Sequence, residues 1–257
     1  MNTLERIVAQ TRQEVEQRKS ARPLHWPELA GSRSDIRSFS DALARPGLSL
    51  IAEHKRRSPS AGVIREELAL ADVVSAYERG GAAALSILTE GPSFGGELED
   101  LRAARQASSL PLLRKDFIID EYQVVEAYTA GADAVLLIAA ALAASELGAL
   151  HERVLACGLT PLVEVHDERE LGVAVDLGAQ VIGINNRDLA TLEVDTRRTF
   201  ELLPQTPSGT LRVAESGFRT PEELAELAGA GVDAVLIGEA LMRSSDIETA
   251  VRALTGR

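Results

Sequence analysis

Gly131-Ala132-Asp133-Ala134-Val135 occurs in this chain in four related forms. Gly81-Ala82-Ala83-Ala84-Leu85 precedes it, and Gly178-Ala179-Gln180-Val181-Ile182 and Gly231-Val232-Asp233-Ala234-Val235 follow. Such internal recurrence is the mark of a repeated supersecondary unit. Each copy comes after a helix-like stretch and enters an apolar run. The glycine suits a helix C-terminus, and the run suits a parallel strand buried on both faces. Four further strand candidates alternate with these: Leu48 to Glu53, Leu110 to Lys115, Pro161 to Val165 and Leu211 to Glu215. Helical stretches separate them, such as Glu121 to Ala130 and Pro221 to Ala230. The second has Thr220 as cap, Pro221 in the first turn, then Glu222 and Glu223. Eight strands alternating with helices, over about 250 residues, predict an α/β (β/α)8 TIM barrel. The alternative is an open doubly wound sheet, but no Gly-x-Gly-x-x-Gly follows the first strand to support a dinucleotide-binding version.

Residues 1–47 lie outside the repeat. A helix is expected from residue 3 to about 19, capped by Thr3, with Leu4, Ile7, Val8 and Val15 on one face. A polar connector broken by Pro23, Trp26 and Pro27 follows, and Ser38-Phe39-Ser40 starts a short helix. These residues are expected to form a helical extension packed on a barrel of residues 48–257, one domain overall.

The net charge of -12 repels nucleic acid and anionic lipid, so neither is expected as a partner. The single cysteine, Cys157, excludes an internal disulfide and a cysteine-rich zinc site, and a packed thiol is expected. His25, His54 and His151 are too scattered to suggest a metal site. The polar amino terminus leads into no apolar run, and no stretch is long enough to span a bilayer, so a cytoplasmic enzyme is expected.

In a barrel, chemistry belongs at the carboxyl ends of the strands. Those ends here carry Glu53 and Lys55, Lys115, Glu164, Asn185 with Arg187, Glu215-Ser216-Gly217, and Gly238-Glu239. Only Lys19, Lys55 and Lys115 are lysines, and two of them follow short apolar strands. An ammonium can be tuned toward neutral pH by desolvation, whereas a guanidinium cannot give up its proton. Glu164 interrupts the run Leu162-Val163-Glu164-Val165, and a carboxylate buried there needs a partner, Lys55 or Lys115. A purely structural ion pair is the competing explanation. Gly217 and Gly238, after the last two strands, suit a phosphate cradle. Lys55-Arg56-Arg57-Ser58 gathers three cations that suit phosphate or carboxylate, or merely form a solvated loop. His166 is read as a loop residue without a role.

Together these stretches resemble the indole-3-glycerol phosphate synthase family. The resemblance rests on Ile51-Ala52-Glu53-His54-Lys55-Arg56-Arg57-Ser58-Pro59-Ser60, Leu113-Arg114-Lys115-Asp116-Phe117-Ile118, Leu162 to His166, Ile182 to Leu189, Ala214 to Gly217 and Leu236 to Met242. It implies a phosphorylated substrate, 1-(2-carboxyphenylamino)-1-deoxyribulose 5-phosphate, closed to an indole with loss of carbon dioxide and water. It implies no metal and no organic cofactor; a monomer or weak homo-oligomer is expected. Lys115 matches the general acid, Glu164 the base of the dehydration, and Lys55 a second essential lysine near the substrate carboxylate or, alternatively, the acid of the dehydration, the division of steps between the two lysines staying open. Glu53, Asn185 and Glu215 match residues that orient substrate and lysines, and Arg187 a substrate-proximal arginine. Ser58, Ser216, Gly217, Gly238 and the backbone of Glu239 match the phosphate region, and Phe117 would wall the anthranilate ring. The chain departs from many relatives at Ala61, where lysine is frequent, and at Glu97 and Glu239. Two competing classes are a neighbouring barrel enzyme, phosphoribosylanthranilate isomerase, which Cys157 fits badly, and a silent phosphate-binding barrel. The latter has no need of Lys115 or Glu164.

Overall fold

The structure, a computed structural model, describes residues 2–24 and 33–256. His25, Trp26 and Pro27 lie outside the described residues. Eight parallel strands close into a barrel: β1 (Ser49–His54), β2 (Ala84–Leu88), β3 (Leu112–Lys115), β4 (Ala134–Ile138), β5 (Thr160–Val165), β6 (Val181–Asn185), β7 (Leu211–Glu215) and β8 (Ala234–Ile237). Each pairs with the next in sequence. Closure comes where β8 returns to β1, with Ile51 opposite Leu236 on one side and Ala84 on the other. A barrel leaves no open sheet edge to pair with another chain.

Two helices precede the barrel, α1 (Thr3–Ala21) and α2 (Phe39–Leu43). The outer layer is α3 (Leu70–Gly80), α4 (Leu98–Ala107), α5 (Glu121–Ala130), α6 (Ala144–Ala156), α7 (Glu168–Asp176), α8 (Arg197–Leu202), α9 (Pro221–Ala230) and α11 (Ile247–Thr255), with a short α10 (Glu239–Met242) before the last. The repeat glycines end helices as expected. Gly81, Gly131 and Gly231 take left-handed φ of 95°, 95° and 91°, which a side chain would resist. In α9, the Thr220 hydroxyl accepts from Glu223 N while the Glu223 carboxylate accepts from Thr220 N, closing a capping box. Cys157 is buried at the C-terminus of α6.

The cap of α1 is Asn2 rather than Thr3. Asn2 Oδ1 accepts from Glu5 N at 2.9 Å, and Glu5 Oε2 accepts from Asn2 N at 3.1 Å. This reciprocal box satisfies two orphan groups that a Thr3 cap would leave unpaired. A two-stranded hairpin, Arg57–Ser58 with Gly62–Val63, stands in the loop after β1, where the sequence suggested only a basic loop.

Side chains alternate along each strand, so the core has two compartments. Leu50, Ala52, Leu112, Val163, Ile182 and Val235 face the helices. Ile51, Leu113, Leu162, Val181, Val213 and Leu236 fill the barrel interior. Phe39 and Leu43 of α2 join the interior cluster, and Ile7 of α1 and Phe117 join it too. Burying a side chain such as Ile7 is worth about 2 kcal/mol. Lys19 Nζ at 2.6 Å from Asp120 and Arg18 Nε at 2.9 Å from Glu126 fasten the same helix to α5.

Candidate active site

The alternation that fills the barrel also builds the site. Two residues beyond an inward-facing apolar side chain, the next inward position is Glu53 after Ile51, Lys115 after Leu113, Glu164 after Leu162, and Glu215 after Val213. All four come from odd-numbered strands, as expected of one layer of a (β/α)8 interior. Three acids and one lysine therefore meet at the carboxyl ends of the strands. Lys115 Nζ lies 3.2 Å from Glu164 Oε2 and 3.6 Å from Glu215 Oε2. Lys55, two residues beyond Glu53 and just past the end of β1, places its Nζ 2.9 Å from Glu53 Oε1. The direct contacts pair Glu164 with Lys115 and Glu53 with Lys55, while Glu53 also feels the Lys115 charge.

Burial on its own would lower the Lys115 pKa. The carboxylates of Glu164 and Glu53, joined by Glu215 where it is ionised, outweigh that effect and hold its pKa above the ordinary lysine value. The ammonium is therefore kept charged, opposite to the tuning toward neutral pH expected from lysine chemistry alone. Glu164 would likewise be raised by burial. The Lys115 charge, His166 and the Asn185 amide reverse this and hold it well below the usual carboxylate range. Glu53 is lowered by Lys55 and Lys115 against the same burial penalty. Glu215 goes the other way. Burial and the neighbouring Glu164 charge push it up to about 8, only partly offset by Lys115, so its carboxyl is protonated at neutral pH. The cluster separates two glutamates into an ionised and a neutral member, a pattern that suits acid–base chemistry.

Asn185 binds both sides of the pocket floor. Its Nδ2 donates to Glu164 Oε1 at 3.1 Å, and its Oδ1 accepts from Arg187 N at 3.0 Å. The Arg187 guanidinium lines the cavity and donates to Leu192 O at 2.9 Å. Asn186 ties two rim loops together, donating to Ser216 O and accepting from Thr199. Ser216 takes a left-handed φ of 62° and Gly217 one of 100°; a Cβ on Gly217 would stand 2.6 Å from Thr196 Cγ2. A Cβ on Gly238 would stand 2.6 Å from Glu53 Oε1, so the carboxylate occupies the space the glycine leaves. Phe117 forms part of the wall with Phe94, ring centroids 6.4 Å apart, and Ser58 reaches the opposite rim. One cavity is lined by every residue that the resemblance assigned to the site, from Glu53 to Glu239, and by Leu4 and Ile7 of α1.

The other two cations of the first loop do not join them. Arg56 turns outward to a bidentate pair with Asp100 and donates to Gly95 O, and Arg57 donates to Gly91 O. They brace the hairpin against the loop after β2, because the buried Asp100 carboxylate demands a partner. His166, expected to be a loop residue without a role, sits against Glu164, and the Ser86 hydroxyl, which no motif marked, donates to Glu53 Oε2 at 3.3 Å. The signal for His166 was present: two residues after Glu164, it faces the same way. Among the described residues, no group of three His, Cys, Asp or Glu is placed to hold a metal ion, and no helix is long and apolar enough to cross a membrane.

The fold is shared with solved barrels at low sequence identity. Thiamine phosphate pyrophosphorylase from Pyrococcus furiosus superposes with a TM-score of 0.61 at 18% identity, over 81% of this chain and 94% of that one. N-acetylmannosamine-6-phosphate 2-epimerase from Clostridium perfringens gives 0.62 at 16%, over 82% and 93%. Sequence relatives are far nearer. "Indole-3-glycerol phosphate synthase 2" of Streptomyces coelicolor is 46% identical over 251 residues, 97% of each chain. An indole-3-glycerol phosphate synthase of Parafrankia sp. is 49% identical over 247 residues, 96% of this chain and 92% of the relative. The family model described as indole-3-glycerol phosphate synthase matches residues 4–254, helices and barrel alike, and the chain belongs to that family.

Proposed function

We propose that the cluster around Lys115 carries out the acid–base steps of indole-3-glycerol phosphate synthesis. The chain is a lyase of tryptophan biosynthesis, and its substrate is 1-(2-carboxyphenylamino)-1-deoxyribulose 5-phosphate. In the first step the ring carbon bearing the carboxylate bonds to the sugar carbonyl carbon, and the carbonyl oxygen takes a proton from Lys115. The bond to the carboxylate then breaks, carbon dioxide leaves, and its electron pair restores the aromatic ring. In the second step the new hydroxyl takes a proton from Lys55 and departs as water, and Glu164 removes a proton from the neighbouring carbon to complete the indole.

The observation that carries this reading is the 3.2 Å Lys115–Glu164 contact inside a shared cavity. An acid and a base this close can serve successive steps on one bound molecule. Lys55, held by Glu53, would receive the substrate carboxylate. Phe117 would wall the anthranilate ring, and Arg187, Asn185 and Glu215 would orient the reacting groups. The phosphate would sit against Ser58, Ser216, Gly217, Gly238 and the Glu239 N–H. These steps need neither metal nor organic cofactor. Residues 1–47 serve as a helical extension packed on the barrel of residues 48–257, and the enzyme works in the cytoplasm as a monomer or weak homo-oligomer.

The test is to supply the carboxyphenylamino substrate and follow indole fluorescence. Wild-type protein should form product. Glu164→Gln should bind substrate comparably but turn over about 10²–10⁴-fold more slowly. A folded wild type without product, or Glu164→Gln with full turnover, would overturn the assignment.

A further inference from the structure

His166 follows β5 and is nearly buried, its side chain 10% exposed between two carboxylates. Its Nδ1 lies 3.0 Å from Glu170 Oε2, and the same oxygen accepts from the His166 backbone N at 2.9 Å. Two contacts to one oxygen fix the ring. Glu170 is itself buried and anchored, its backbone N donating to Asp167 Oδ1 at 2.8 Å in the N-terminal turn of α7. The fixed ring points Nε2 at Glu164 Oε1, 3.3 Å away, without an aligned hydrogen bond. With a carboxylate on each side, both ring nitrogens favour carrying protons. Burial disfavours that charge, but the two carboxylates prevail and hold the ring pKa up at about 9.

We infer that His166, braced by Glu170, is a positioning residue that keeps Glu164 ionised and turned toward Lys115 for proton removal. This rests on the assignment of Glu164 as the base. Glu164 has two oxygens and three neighbours to orient it. Oε2 faces Lys115, while Oε1 faces the Asn185 amide and the His166 ring. Without the imidazolium, Lys115 would be the one cation beside Glu164, and it must give up its own proton to the substrate carbonyl. At that moment Glu164 would lose its counter-charge. His166 supplies a cation that the ring-closure step does not consume. The other charged groups around this corner are Glu170 and Arg169 of α7 and, across Glu164, Glu215 of β7. Arg169 is solvent-exposed and 3.6 Å from the far oxygen of Glu170.

The test compares wild type, His166→Gln, Glu170→Gln and Glu164→Gln at saturating substrate from pH 6 to 10, together with imidazole titration by NMR. Wild-type kcat should fall as pH passes about 9. His166→Gln should lower kcat about 10- to 100-fold with KM within about twofold, and should lose that high-pH fall. Glu170→Gln should move the fall to lower pH by about one unit, because one of the two carboxylates holding the proton is gone. The ring signal absent from His166→Gln should titrate near 9 in wild type and lower in Glu170→Gln. A purely structural histidine would alter melting but leave the profile in place. Wild-type kcat in folded His166→Gln, or a high-pH fall unchanged in either variant, overturns the inference. If His166→Gln does not fold, an unmoved ring titration in Glu170→Gln overturns it equally. Full activity in Glu164→Gln sinks the assignment of the base, whereas an inactive Glu164→Gln beside a normal His166→Gln sinks this inference alone.

Discussion

Lys115 and arginine differ here in more than size. The neighbouring acids hold the Lys115 proton tightly, but an ammonium, unlike a guanidinium, carries a proton that can be transferred. Arginine would satisfy Glu164 and Glu215 but could not donate a proton. Lys115→Arg is therefore expected to fold normally by circular dichroism and to lose turnover by about 10²-fold or more. Activity within a few-fold of wild type would remove proton donation by Lys115 from the mechanism. Gly183 makes a second argument of the same kind. A Cβ there would meet Glu215 Oε1 at 2.2 Å, inside the barrel where nothing can retreat easily. Gly183→Ala should displace the Glu215 carboxyl and cut kcat while costing about 1–3 kcal/mol of stability in urea denaturation. Wild-type kinetics in that variant would mean that the position of Glu215 is unimportant. Strand-end positions exposed most of these residues in the sequence. Pairing did not follow from it, because whether Lys55 or Lys115 reaches Glu164 depends on barrel stagger. The direction of the Lys115 shift also escaped, since it depends on how many acids surround one ammonium.

At the scale of the element, the repeat proved readable because it has a mechanical reason. In Gly131-Ala132-Asp133, the glycine ends α5, and the fully buried Asp133 accepts from Leu112 N at the start of β3 and from Arg105. In Gly231-Val232-Asp233, Asp233 does the same for Arg212 N near the start of β7. One acid thus pins each helix end to the strand before it. The copies at Gly81 and Gly178 lack this acid, so the motif alone could not fix every boundary. The third strand begins at Leu112 rather than Leu110, at the residue whose N–H the Asp133 carboxylate takes. Helix glycines separate packing from propensity. A Cβ on Gly80 of α3 would stand 2.5 Å from Val251 Cβ of α11, whereas one on Gly172 of α7 would meet nothing within 4 Å. Gly80→Ala should therefore destabilise by about 1–3 kcal/mol despite the better helix residue. Gly172→Ala should stabilise by about 0.5–1 kcal/mol. Urea midpoints moving the same way for both would show that these helices do not pack as described.

For the whole molecule, the buried charges set how stability follows pH. His166 has its folded pKa raised from the ordinary 6.5 to about 9, and Glu215 from 4.5 to about 8. Each binds its proton more tightly in the folded state, so its contribution is complete below the unfolded pKa and is lost as pH rises through the folded one. His54 behaves oppositely. Burial and the nearby Arg56 lower it to about 4, so its contribution is present above 6.5 and is lost as pH falls through 4. Between 4.5 and 6.5 His54 and Glu215 oppose one another. Above 6.5 only the losses at Glu215 and His166 remain, and the net charge of -12 grows more negative in the same interval. The melting temperature should therefore decline between pH 6.5 and 9. Glu215→Gln, a neutral stand-in for the protonated acid, should flatten the lower part of that decline, and His166→Gln the upper part. Calorimetry showing a level or rising melting temperature over this range would mean that these two groups do not hold their protons in the folded enzyme. In that case the ionised–neutral division between Glu164 and Glu215 would fall with it.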